Sequence, residues 1–571
     1  MKNRLILLLA LPLIVLTACE RKLAADLDVG SGDDALSVPE QLHGKIVLGK
    51  RLENPYSTEN MQAAYSSLYS TRSSRDVVST THLYVRFLPE NEADFRLLES
   101  RGLVLFDYPL DYEILVDGDY YTDPELPEGS ITWQYSVVEK DFDFPDMRYE
   151  IIEECCLDEG DAITRSDGVD FAMLEREAFR LTGNAGMLGD ETKAAKNVPQ
   201  GRLTVSDANY NAGEGSGVAG VKVVANSFVK VAKGYTDGTG HFKLNKSFSS
   251  SKVKYRIVFE NERGFALGFN FILVPASVSS LGKQSSEGID MNFTFGNDQT
   301  TWRRCIVNNV LYEYFDMCGD GTSGILPPPS GLRLWMMDSM TDDYTLMLHH
   351  GAVWDDSFIS EKFPKVMSIL KSFLPDVLLG TGDCDSAFDL YREVYHEAAH
   401  ASHYAVVGNT YWNQYALATA INGVTGKGLY GTGGRSSDGY IGLTEMWAYY
   451  YGSYLFDKRY RMGLTPGEEY WFKPQMLRAL EDAGLSPEEI FALFDRETVS
   501  IEKLGERIEE LYGSGYKDCF DKFFGNPQDD SPDDSGTSDD NSDDVPGGGK
   551  DDEQDNGKDD LFGRPKEWGV I

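Results

Sequence analysis

At 571 residues the chain exceeds what one hydrophobic core usually organises, so roughly three or four folding units are expected. Hydrophobic residues make up 41% and aromatic residues 12%, enough apolar surface for most of it to fold. A formal net charge of −39 argues against nucleic acid or anionic lipid as a surface partner, because both demand a basic face.

At the start, Lys2 and Arg4 precede an apolar run over 5–16, the charged and hydrophobic regions of a secretory signal too short to span a bilayer stably. Leu16-Thr17-Ala18-Cys19 resembles the lipobox of bacterial lipoproteins. The resemblance implies a signal peptide over 1–18, acylation of Cys19, and a lipid-anchored protein of the bacterial cell envelope. Glu20 is compatible with sorting to the outer membrane, and a plain cleaved signal is the alternative. Residues 19–78 are polar and loop-rich and read as a tether with a short helix near 60–69. From Thr81 a strand over 82–88, a helix over 90–100 and a strand over 103–108 suggest a small α+β domain within 79–185.

Residues 198–296 break into short strands at Gly and Asn turns. The segments 201–207, 217–223 and 234–244 resemble the carboxypeptidase regulatory-like, transthyretin-like β-sandwich family, departing from its common pattern at Ala219, where a Pro is frequent. The resemblance implies an accessory module for spacing or docking. His241 reads as a strand residue beside a turn. Segments 332–337 and 344–350, linked by a turn over 339–343, can border a cleft to which an extended peptide adds through backbone hydrogen bonds. His349 and His350 point to opposite faces of such a strand, and a structural role is favoured for both. Helical patterns then cover 356–374, 386–407, 412–422, 443–459, 468–483, 487–493 and 501–512. Residues 526–571 form an acidic tail expected to be disordered, with fourteen acidic residues and two Lys between 527 and 560. The expected fold is thus multidomain α+β: a small α+β N-terminal domain, a β-sandwich, a mainly helical C-terminal domain over 300–525, and the tail. Six Cys remain after lipidation; Cys305 with Cys318 and Cys384 with Cys519 are conceivable disulfides, and the absence of C-x-x-C spacing argues against a structural zinc site.

The strongest signal is His396-Glu397-Ala398-Ala399-His400, an H-E-x-x-H pattern. On a helix of 3.6 residues per turn, His396 and His400 share a face one turn apart, so both imidazoles can reach one ion. Glu397 then lies beside the ion, placed to take a proton from water rather than to ligate. Ser386 can cap this helix, and no Pro or Gly interrupts it before Gly408. A catalytic zinc needs a third ligand. His403 shares the face, but it lies about 10 Å along the axis from His396 and is read as a packing or supporting residue. Glu445 follows a Gly-rich loop over 423–442 and heads a helical face continued by Ala448, Tyr449 and Gly452, small enough in part to approach the first helix closely. It is the preferred third ligand; a first-turn Glu held by the helix dipole is the alternative.

His396, Glu397, His400 and Glu445 together resemble the gluzincin branch of the zincin metallopeptidases, over the last third of the chain at most. The resemblance implies Zn2+ held by His396, His400 and Glu445, Glu397 as general base, and a peptide or protein substrate. Glu445 lies 45 residues after His400, longer than in many gluzincins, and Tyr449 stands where some members carry an Asp. Tyr440 and Tyr449 are positional candidates for the donor that an oxyanion needs. The expected function is a lipid-anchored zinc metallopeptidase. The alternative is a cell-surface binding or scaffold lipoprotein with a vestigial zinc site, which would not require a base beside the metal.

Overall fold

The computed structural model describes residues 44–69, 78–127, 130–157, 170–188, 198–268, 276–319, 324–337, 346–347, 376–463 and 470–525. Among them the fold is mixed α+β, with ten α-helices and seventeen strands. The N-terminal part comprises β1 (Val47–Arg51), α1 (Thr58–Leu68), β2 (His82–Leu88), α2 (Glu92–Ser100), β3 (Tyr112–Val116), β4 (Gln134–Glu139), β5 (Arg148–Cys155) and α3 (Phe171–Leu181). β2 lies between β4 and β5, antiparallel to both. Its alternating side chains serve two cores: Leu83, Val85 and Phe87 pack with Leu98 and Val138, while Tyr84 faces Phe106, Trp133 and Tyr135. Residues 103–108, expected as a strand, contribute only an isolated bridge from Phe106 to Tyr135.

Within the stretch expected as a tether, residues 44–69 are folded. β1 pairs antiparallel with β3, and α1, capped by the Ser57 side chain on Asn60 N, buries Met61, Ala64 and Tyr65 against Leu174 and Ala178 of α3. Its polar composition hid this because short amphipathic elements need few apolar residues when another layer covers them. Residues 1–43, including Cys19, lie outside the described residues, as do His349, His350, the helix expected over 356–374 and the acidic tail.

The next strands are β6 (Gln200–Asp207), β7 (Asn211–Gly217), β8 (Val221–Ser227), β9 (Lys230–Tyr235), β10 (His241–Lys243), β11 (Lys252–Asn261), β12 (Ala266–Gly268), β13 (Val278–Ser285) and β14 (Gly288–Phe293). β10, β6 and β14 form one sheet with β7 also on β6; β8, β9, β11 and β13 belong to the other. Leu203 and Val205 of the first share a core with Val223, Ala225, Tyr255 and Ile257 of the second. The second sheet does not stop at the expected boundary near 296–300. β12 pairs in parallel with β15 (Arg333–Met337), β15 in parallel with β17 (Val377–Gly380), and β16 (Leu346–Met347) closes the order antiparallel to β17.

Two of the elements without a counterpart in the sequence pattern bear on the centre. β17 separates β15 from β16; Val377-Leu378-Leu379-Gly380 is wholly buried, so it lacks the alternation that marks a half-exposed strand. α4 (Gln299–Cys318) is buried on most sides, from Trp302 and Cys305 to Tyr314 and Cys318, and so carries little amphipathic signature. It packs on α5 (Ala387–Val424) and on β6, β11 and β14. After α5 come α6 (Asp438–Tyr460), α7 (Gln475–Asp482), α8 (Pro487–Phe491), α9 (Ile501–Tyr512) and α10 (Ser514–Phe524). One contiguous set of buried side chains runs from Leu203 through α4, α5 and α6 to Phe520. None of the described helices is long and apolar enough to cross a membrane. No disulfide joins the six described cysteines, five of which are buried.

The N-terminal layer is bolted to the strands by a buried charge. Glu175 of α3 pairs with Lys230 of β9 at 3.0 Å, accepts from Tyr56 Oη at 2.5 Å, and accepts from Ser249 through its other oxygen. Removing one partner strands the other charge in a dry interior. Glu175→Ala is expected to lower unfolding free energy by about 3–5 kcal/mol in urea denaturation followed by circular dichroism; a loss below about 1 kcal/mol would mean that Lys230 finds water instead.

Candidate metal centre

α5 starts under a Ser386 cap, whose Oγ accepts from Asp389 N at 3.2 Å, and breaks at Gly408, where φ is 74° and ψ −179°. That backbone conformation suits glycine and separates a first half carrying the H-E-x-x-H residues from a second half carrying Trp412 and Tyr415. α6 crosses the first half very closely. A Cβ placed on Gly452 would meet the Cα and N of His396 at 3.2 Å, and Trp447 Nε1 donates to Ala399 O at 3.1 Å. From the opposite side, Tyr314 Oη of α4 donates to Ser402 Oγ at 2.8 Å, and Glu313 accepts from Tyr391 at 3.0 Å and Tyr395 at 2.9 Å.

This clamping places four buried groups around one point. Ligand atoms of His396, Glu397 and His400 all lie within 4.8 Å of one another. Glu445 Oε2 arrives from α6, 3.4 Å from His396 Nε2 and 3.5 Å from His400 Nε2. Donors about 2.0–2.1 Å from a tetrahedral ion stand about 3.3–3.4 Å apart, so these two separations match the edges of such a coordination shell. The two carboxylates differ in what holds them. Glu445 Oε1 accepts from Tyr415 Oη at 2.8 Å, whereas Glu397 Oε2 and Glu445 Oε2 are buried with no hydrogen-bond partner among the described residues. Buried polar atoms are nearly always satisfied, so unsatisfied carboxylate oxygens beside two imidazole nitrogens fit a cation-binding donor set.

The electrostatics agree. Burial pushes the Glu397 carboxyl up to about 8. Burial also opposes charge on Glu445, yet His400 and His396 pull its carboxyl far below the usual range. Desolvation holds His400 down; at His396 it is overcome by the adjacent Glu445 carboxylate, which raises the imidazole. Without an ion, then, Glu445 calls for a proton on its histidine neighbour. A bound divalent cation would supply that positive charge and leave both imidazoles neutral. Trp412 and Tyr415 flank the His400 ring with centroids at 6.0 Å and 6.2 Å, while His400 Nδ1 has no hydrogen-bond partner.

His403 is fully buried against Tyr411, Trp412 and Phe494, and burial drives its imidazole down to about 3. It is a neutral packing residue. Tyr449 joins the centre, its ring 4.7 Å from that of His396, and its hydroxyl donates to Tyr470 Oη at 3.0 Å and lies 3.2 Å from Tyr430 Oη. Tyr440 does not: it sits about 140° around α6 from Glu445 and packs on Tyr411 at 4.8 Å. Sequence reasoning missed Tyr415 and Tyr430. Gly408 was the available signal for the first, since a helix break there returns the chain toward α6; Tyr430 lies in the Gly-rich loop between positive-φ Gly428 and Gly431, where periodicity says nothing. His241, exposed on β10, pairs across to Arg202 and bonds Thr239 and Asp237.

No protein-family model matches this sequence, and no curated protein or solved structure matches it either. The centre therefore stands on its own geometry. His403→Phe is expected to leave the zinc content of the purified protein unchanged by elemental analysis, since the clustered ligand atoms are those of His396, Glu397 and His400. Gly452→Val is expected to cut zinc content by more than half, because a branched side chain cannot fit against the His396 backbone.

Proposed function

We propose that the protein is a zinc-dependent metallopeptidase, lipid-anchored through Cys19 in the bacterial cell envelope. The observation that carries this reading is the approach of Glu445 Oε2 to both imidazole Nε2 atoms at 3.4 Å and 3.5 Å, with Glu397 Oε2 buried beside them and without a hydrogen-bond partner among the described residues. His396, His400 and Glu445 would hold the zinc. Bound there, zinc supplies Lewis-acid polarisation of a carbonyl and acidifies water.

The chain's own residues do the remaining work. Glu397 Oε2, which no hydrogen-bond donor among the described residues engages, would accept the proton of the attacking water and return it to the leaving nitrogen. Tyr449 walls the centre at His396, and its hydroxyl-bonded neighbours Tyr430 and Tyr470 extend that wall. Support for a peptide as substrate comes from β16, which among the described residues ends the long sheet and packs on α5, a placement that suits addition of an extended chain. The two-sheet region, with its resemblance to carboxypeptidase regulatory-like sandwiches, is read as a spacing or docking module.

Glu397→Gln is expected to retain about one zinc per chain while peptide-library cleavage falls by about 10²–10⁴-fold or more. Cleavage at the wild-type rate in that variant would sink the assigned mechanism. Absence of any zinc-dependent cleavage by the wild type would instead favour a surface-binding lipoprotein.

A further inference from the structure

Glu445 uses its two oxygens differently, and the difference originates in α5 rather than in α6. Beyond Gly408, Trp412 and Tyr415 lie three residues apart and both flank the His400 ring. Their own rings pack at 4.9 Å, which fixes where the Tyr415 hydroxyl ends. That hydroxyl is buried and donates to Glu445 Oε1 at 2.8 Å. Oε2 is left as the oxygen facing His396 and His400.

We propose that Tyr415 is a positioning residue that makes Glu445 a one-oxygen ligand, holding Oε1 away so that the metal keeps an open position for its substrates. The inference rests on the assignment of His396, His400 and Glu445 as metal ligands. A carboxylate with both oxygens free can swing to bind through two, filling the position that a hydrolytic centre must keep open. A hydrogen bond from a rigid, ring-packed donor opposes that swing, and it also orients the ligand before the ion arrives. The second half of α5 thereby acts on the centre through Glu445 without contributing a ligand.

Tyr415→Phe tests this because it deletes only the hydroxyl and keeps the ring against Trp412 and His400. Zinc affinity, measured on the full chain by competition with a chromophoric chelator, is expected to fall about 10–100-fold. The cobalt(II)-loaded variant is expected to show weaker visible absorption per metal than cobalt(II)-loaded wild type, as released Oε1 raises the coordination number. Metal-free variant and metal-free wild type should melt within a few degrees of each other, which separates positioning from a merely structural role. Equal affinity and identical cobalt spectra would overturn the proposal while leaving the metal site standing. A wild type that takes up no zinc or cobalt would overturn the site and this inference together.

Discussion

The candidate centre depends on how closely two helices approach. Glu445 and Gly452 are seven residues apart on α6, nearly two full turns, and so lie on one face. With no side chain at Gly452, the α6 backbone comes into van der Waals range of His396 itself, and Trp447 closes the contact by donating to Ala399 O. A carboxylate of modest length on that face then reaches the imidazoles. Wider separation would leave Glu445 short of them, whatever its rotamer.

That approach is secured from outside the pair. Near the end of α6, Arg459 bonds Glu313 of α4 at 2.8 Å and Asp207 of β6 at 3.3 Å, and Tyr460 donates to the same Asp207 at 2.7 Å. Glu313 also gathers the hydroxyls of Tyr391 and Tyr395 on α5. One carboxylate thus ties three helices, and a second ties α6 to the strands. The continuous order from β11 through β12, β15 and β17 to β16 carries the same frame to the other side of α5. The region that resembles a separate accessory sandwich is, in packing, the floor on which the centre is built.

Burial of so much charge has a cost that the protein alone does not offset. Glu397, Glu445, His396 and His400 are all withdrawn from water, and two carboxylate oxygens among them lack partners. In ordinary cores such groups are paired or replaced by apolar ones. A constellation that stays polar and dry is the kind that functional sites retain, and under the proposed function a divalent cation would complete it.

The sequence alone determined the relations that local helical geometry sets. One turn separates His396 from His400, seven residues carry His403 too far along the axis, and small residues at 448 and 452 mark the close face behind Glu445; these are properties of a repeat every 3.6 residues and survive any tertiary arrangement. Tertiary structure decided the rest. β17 and α4 are buried on so many sides that no periodicity betrays them, and the polar stretch from residue 44 becomes structure only because α3 and β3 cover it. Tyr440 and Tyr449, equal as sequence candidates, are separated by which face of α6 meets α5. Tyr415 joins Glu445 across 30 residues because a positive φ at Gly408 redirects the chain, a contact between distant segments that no local pattern encodes.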